Sequence, residues 1–260
     1  MTPSQAVEEA ARLGLSAIAV SDHDTVAGID EALAAGSRLG IEVVPAIELN
    51  ADYGSVEIHI LGYLIDWRSA GLRQELERLR RARLDRSKKM VEKLRSIGVP
   101  VTIERVLEIA GSGSVGRPHV AQAIVEVGAA ESMAAAFSRY LVRGAPAFVE
   151  RMRMAPHDAV TLVAGSGGVA ALAHPGQAGR DSLIPGLVKA GMGAIEVSYP
   201  GQTPDVAQHY QALARRFGLV ATGGSDAHGF AGEAGAPIGG VTVDASVVQE
   251  LRTAAQTHTM

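Results

Sequence analysis

Six side chains scattered along the chain are of types that bind divalent cations: His23, Glu48, His59, His174, Asp226 and His228. Four imidazoles and two carboxylates suit zinc, manganese or iron, and a carboxylate can bridge two ions. Such a site activates water and clamps both oxygens of a phosphoryl displacement. The 260 residues include no cysteine, so disulfides, thiolate metal sites and a cysteine nucleophile are excluded. Any metal must be held by His, Asp and Glu. Asp22 and Asp24 flank His23 and have two readings: they orient the ligand histidines, or they cap the helix that follows. His157 at a helix start, His209 in mid-helix and His258 in the tail are read as structural.

These residues matter together because of where the elements place them. Thr2, Pro3 and Gln5 predict a capped helix ending at Gly14. Ala17–Val20 is a short apolar strand, and His23 follows it. A second helix, capped by Thr25 with Ile29, Leu33 and Leu39 inward, closes at Gly40. Ile41–Leu49 is a strand carrying Glu48 near its end. Val56–Ile65 is the next, containing His59 and joined by a hairpin-like turn. After a long helical stretch the rhythm resumes with strands at Val169–Ala173, Ala194–Val197 and Leu219–Thr222, and a last strand expected at Gly239–Val243. His174 follows the first of these, and Asp226 and His228 follow the third. Strands alternating with helices imply an α/β fold with a parallel sheet, open or closed into a barrel. Most of the six residues then fall at strand C-terminal ends, where such folds gather their sites.

Composition narrows the field further. Residues 68–95 hold eleven Lys or Arg against four acids, a charge of +7, while the chain as a whole is −4. The expected organisation is therefore a domain of residues 1–67 and 151–260 with a helical insert at 68–150. The basic helix is a solvated face or an attractor of phosphates and short nucleic acid. With 4 % aromatic residues there is no stacking platform for long strands, and the low net charge argues against coating duplex nucleic acid. No apolar run reaches the ~18 residues of a membrane helix, and Met1–Gln5 lacks the start of a signal peptide. A soluble cytoplasmic protein is the expectation.

Ser21-Asp22-His23-Asp24-Thr25, Ala46-Ile47-Glu48, Glu57-Ile58-His59-Ile60-Leu61-Gly62-Tyr63, Ala173-His174-Pro175-Gly176 and Gly224-Ser225-Asp226-Ala227-His228-Gly229 occur in the order of the PHP (polymerase and histidinol phosphatase) motifs. The chain resembles the stand-alone metal-dependent phosphoesterases of that family. These include nucleoside 3′,5′-bisphosphate phosphatases and 5′→3′ exoribonucleases acting on short RNA. The resemblance implies a distorted seven-stranded β/α barrel with up to three divalent ions (Mn2+, Zn2+ or Fe2+) held by the six residues above. It implies one ion on Glu48, His59 and His174, a second using Glu48 and Asp226, and a third using His23 and His228. It also implies an opening strand with a His-x-His pair, which does not precede Thr2 here, so fewer ions are expected. Gly116-Arg117-Pro118-His119 resembles a segment reaching over the metals. Arg117 would hold a phosphate and His119 would donate a proton, although Pro118 equally marks a plain helix start. Tyr199 stands where the family often has His. Two alternatives stay open: a single-metal nucleotide-binding protein with impaired catalysis, and an amidohydrolase-type hydrolase.

Overall fold

The computed structural model describes residues 1–54, 56–111, 114–228 and 235–258. Gly229, which ends the last motif above, lies outside the described residues. The chain forms two compact units, Met1–Arg73 with Met154–Met260, and Gln74–Arg153. Among the described residues no helix is long and apolar enough to cross a membrane.

The first unit opens with α1 (Pro3–Arg12), whose capping box is complete. Thr2 accepts from the Gln5 N–H, and the Gln5 side chain accepts from the Thr2 N–H. β1 (Ala17–Val20), α2 (Ile29–Leu39), β2 (Glu42–Tyr53) and β3 (Val56–Tyr63) follow. α2 starts later than the sequence predicts. Its N-cap is Gly28, and the Thr25 hydroxyl accepts from the Ala27 N–H instead. The cause is that residues 22–24 are still tied to β2, the Asp24 N–H donating to the Glu48 carbonyl at 2.9 Å. Leu39, expected inward, is exposed, and Ile29, Ala32, Ala35 and Gly36 are buried. Helix and strand approach so closely at Gly36 that a Cβ there would lie 2.6 Å from Val43, so no side chain fits at that position.

After the second unit come α7 (Pro156–Gly165), β4 (Val169–Leu172), α8 (Pro175–Ala178), α9 (Ile184–Lys189), β5 (Met192–Ser198), α10 (Pro204–Phe217), β6 (Val220–Gly223) and α11 (Ser246–His258). The sheet order is β1-β2-β3-β4-β5-β6, curled into a half-barrel. It is mixed rather than parallel, because β3 runs antiparallel to both β2 and β4. A turn as short as the one joining β2 to β3 allows only an antiparallel pair. The expected strand at 239–243 does not form. Gly239 turns the chain at φ +79°, and the Val241 N–H and carbonyl bond to the Ser225 hydroxyl in place of a ladder. α11 buries Leu251 against Val44, Ala46, Leu61, Tyr63, Ala171, Ala173 and Ala194. By strand alternation the same sheet face carries Glu48, His59 and Glu196.

The second unit is helical. It takes most of α3 (Ala70–Ser96), then α4 (Ile103–Ala110), α5 (Arg117–Glu126), α6 (Met133–Ala136) and a π-turn at Phe137–Leu141. Met90, Leu94, Val106, Val120, Ile124 and Leu141 make its core. Part of the positive charge of α3 is neutralised along its own surface, since Arg78 pairs with Glu75 and Arg80 and Arg81 pair with Glu77.

Gly62 on β3 lets α7 seat on the sheet, because a Cβ there would meet Val163 at 2.8 Å and Ile47 at 3.1 Å. Gly62→Ala should therefore destabilise the protein by about 1–3 kcal/mol. The readout is the urea midpoint; an unchanged midpoint would show that this contact is loose.

Candidate metal centre

The backbone brings the donors together before any side-chain bond forms. The β1–β2 pairing resumes beyond β1 as a single parallel bridge between His23 and Glu48, and the Glu48 N–H donates to the Asp22 carbonyl at 3.2 Å. In the antiparallel β2–β3 ladder His59 sits opposite Asn50, two positions from Glu48, so the two side chains share a face. The Ala173 N–H donates to the His59 carbonyl at 3.1 Å, which sets His174 beside His59.

Glu48, 5 % exposed, lies at the centre. Its Oε1 is 2.6 Å from His59 Nδ1 and 3.5 Å from His174 Nε2, and those two nitrogens are 3.1 Å apart. Its Oε2 is 3.6 Å from His23 Nε2. Glu57 Oε1 lies 3.5 Å from the far nitrogen of His59. The His23 ring packs edge-on against His59 at 5.1 Å and lies tilted 5.7 Å from His228. Burial pushes the Glu48 carboxyl up, but hydrogen bonds from His174 and His59 and the charge of His23 outweigh it and hold the group well below the usual range. Burial lowers His59, yet the Glu48 and Glu57 carboxylates raise it to about 9. His23 is lowered, chiefly by burial. Asp226 is raised by burial and by the charge of Glu48.

Strain collects at the same place. Among the described residues the non-glycine positions of positive φ are Asp24 (53°), Leu64 (57°), His174 (27°) and Asp226 (48°), and three of these are candidate site residues. Asp24 does not cap α2. Its carboxylate accepts from the Asn50 N–H at 3.0 Å and the Asn50 amide at 2.9 Å, and that amide lies 3.3 Å from His23 Nδ1. Asp22 is exposed as a residue, while the partial burial of its carboxyl raises that group. His228 Nδ1 is 2.8 Å from the Asp226 carbonyl.

Sequence reasoning passed over Asn50 and Glu196. Glu196 is 4 % exposed on β5, and its Oε2 accepts from the His174 N–H at 2.7 Å. The available signal was an acid inside an otherwise apolar strand, which is rare without a partner. Tyr199 is buried, and its hydroxyl accepts from the Gly176 N–H at 3.0 Å. Arg117 and His119 belong to the second unit, half-buried at the start of α5. His119 Nδ1 accepts from the Gly116 N–H at 3.0 Å, which leaves Nε2 as the donor of the neutral ring. His157 and His209 stand apart on α7 and α10, and His258 closes α11.

The donor set fits a divalent ion. Ligands of a tetrahedral ion at ~2.0–2.1 Å stand roughly 3.3 Å apart. Two edges of the Glu48–His59–His174 triangle, at 3.1 and 3.5 Å, are close to that. His174 Nδ1 is buried without a hydrogen-bond partner among the described residues, and Nε2 contacts the other two donors of the triangle.

The Glu48–His59 pair makes metal-free stability depend on pH. A ring raised from 6.5 to about 9 contributes fully below pH 6.5 and loses that contribution as pH rises through about 9. The loss is on the order of 3 kcal/mol. In chelator-treated protein the melting temperature should fall across that window, and Glu48→Gln should flatten the fall. Parallel curves for the two proteins would refute the pairing.

A 3′,5′-nucleoside bisphosphate phosphatase of Chromobacterium violaceum is 32 % identical over 245 residues, covering 92 % of this chain and 86 % of that protein. The 5′-3′ exoribonuclease Rnm of Salmonella typhimurium is 32 % identical over 235 residues, covering 88 % and 80 %. A crystal structure described as a metal-dependent phosphoesterase from Bifidobacterium adolescentis gives a TM-score of 0.85 at 32 % identity, covering 97 % of this chain and 91 % of that one. A structure of an amidohydrolase from C. violaceum, with bound sulfate and no metal, gives 0.81 at 30 % identity, covering 98 % and 92 %. No family model matches. Identity at this level over nearly the whole of both partners makes this chain a member of the PHP-like phosphoesterase family.

Proposed function

We propose that the protein is a metal-dependent phosphoesterase acting on the phosphate esters of nucleotides or short RNA. The observation that carries this reading is the triangle of Glu48 Oε1, His59 Nδ1 and His174 Nε2, with edges of 2.6, 3.1 and 3.5 Å. These three residues hold one ion; Asp226, His228 and His23 are the donors left for others. Mn2+, Zn2+ and Fe2+ all suit this set. When bound, a divalent ion polarises a phosphoryl oxygen and acidifies water.

The chain's own groups supply the rest. Asp24 and Asn50 orient His23, and Asp22 anchors the strand beside Glu48. The family resemblance assigns phosphate binding to Arg117, whose guanidinium is a planar fork suited to two oxygens. The family resemblance assigns proton donation to His119, whose Nδ1 accepts from the Gly116 N–H so that Nε2 carries the proton of the neutral ring. The names of the relatives favour nucleoside bisphosphates and short oligoribonucleotides over long or duplex nucleic acid. The six strands are read as part of the PHP-type seven-stranded barrel, and the protein as cytoplasmic.

With Mn2+ the protein should release inorganic phosphate from a nucleoside 3′,5′-bisphosphate and no ammonia from nucleosides. Ammonia without phosphate would establish the amidohydrolase alternative, and one tightly held ion with no turnover would establish a binding protein. His59→Ala should weaken Mn2+ binding in calorimetry beyond the ~10–100-fold typical of losing an outer hydrogen-bond partner. His157→Ala should leave it unchanged. Equal effects of the two variants would discredit the ligand assignment.

A further inference from the structure

We propose that Glu196 is a positioning residue for His174: its carboxylate fixes the backbone on which the imidazole stands and so aims that ring at Glu48 and His59. This rests on the metal reading above and adds a residue to it.

Three observations on β5 and just beyond it converge on the turn that carries His174. His174 adopts φ +27°, ψ 56°, which a side-chain-bearing residue holds only when its surroundings enforce it. The enforcing contact is its own N–H, which donates to Glu196 Oε2 at 2.7 Å. The bond is short, and Glu196 is 4 % exposed, so little water is available to replace it. Next, the β5–β6 register slips between Glu196 and Ser198, a bulge directly beyond the glutamate. Bulges of this kind re-aim side chains beside sites. Finally, two residues past His174 the Gly176 N–H donates to the hydroxyl of Tyr199, the residue that follows β5, and a Cβ on Gly176 would clash with that hydroxyl. β5 and the residue that follows it thus grip the turn at both ends. Glu196 otherwise has no evident reason to occupy an apolar strand, because a buried carboxylate costs stability unless something uses it.

The test needs Glu196→Ala and Glu196→Gln, since the amide keeps an acceptor oxygen without the charge. In metal-free protein the His174 amide should be protected from hydrogen exchange in wild type and in Glu196→Gln, and lose at least tenfold of that protection in Glu196→Ala. Mn2+ titration should show binding weakened about 10–100-fold in Glu196→Ala. Glu196→Gln should recover to within about threefold of wild type. The visible absorption of bound Co2+ should change in the alanine variant and be restored by glutamine. Wild-type affinity in Glu196→Ala overturns the proposal. So does a glutamine variant as weak as alanine, which would mean that the charge itself matters. If alanine fails to fold, glutamine at wild-type affinity and protection upholds the acceptor role, and its loss overturns it. If wild type takes up no Mn2+, the metal reading fails, while the exchange comparison still decides whether Glu196 holds the turn.

Discussion

A single buried carboxylate organises this molecule. Glu48 is withdrawn from water, a position unfavourable for an anion unless polar partners surround it. Three histidines provide that surround, and each reaches Glu48 from a different stretch of chain. The sheet is what lets them do so. β2 carries the carboxylate, β3 returns beside it with His59, β4 delivers His174, and the segment after β1 keeps pairing long enough to deliver His23. The same concentration of like-charged and ring groups suits a cation better than it suits the bare protein. The positive-φ residues at this end of the sheet are consistent with that, since strain persists where function rather than stability sets the geometry.

The fold's second feature is a division of labour along one sheet face. Toward α11 the face is apolar, with Ala and Val small enough to let the helix close down on it. Toward the other end, the same alternation of side chains presents acids and imidazoles. Core and candidate site are thus successive stretches of the same strands, and the packing that stabilises the unit also fixes the donors in place.

Much of this was readable in the residues. The capping box at Thr2 and Gln5, the glycine stop at Gly40 and the apolar runs of β1, β4, β5 and β6 are local signals, and each element formed where its signal stands. The misreadings share a cause, which is that a tertiary bond outbid a local preference. Thr25 is a good cap, but residues 22–24 were held by β2. Residues 239–243 have strand-like composition, but the Ser225 hydroxyl took their hydrogen bonds. Leu39 fits a helical stripe, but α2 meets β2 closely at Gly36, and its buried residues are Ile29, Ala32, Ala35 and Gly36. Asn50 and Glu196 escaped notice because a single polar residue in a strand has no periodicity to mark it. Their meaning lies in partners that are 27 and 22 positions away.

The antiparallel course of β3 carries a further implication for how this scaffold can vary. His59 shares a face with Glu48 because the hairpin between Tyr53 and Val56 sets their phase. A strand alternates sides with every residue, so gaining or losing one residue ahead of His59 would swing its ring to the opposite side of the sheet. Descendants of this sequence can therefore lengthen that connection only in ways that preserve parity or that absorb the extra residue in a bulge. A surface loop, ordinarily the part of a protein most open to insertion, is here under the same discipline as the buried residues it serves.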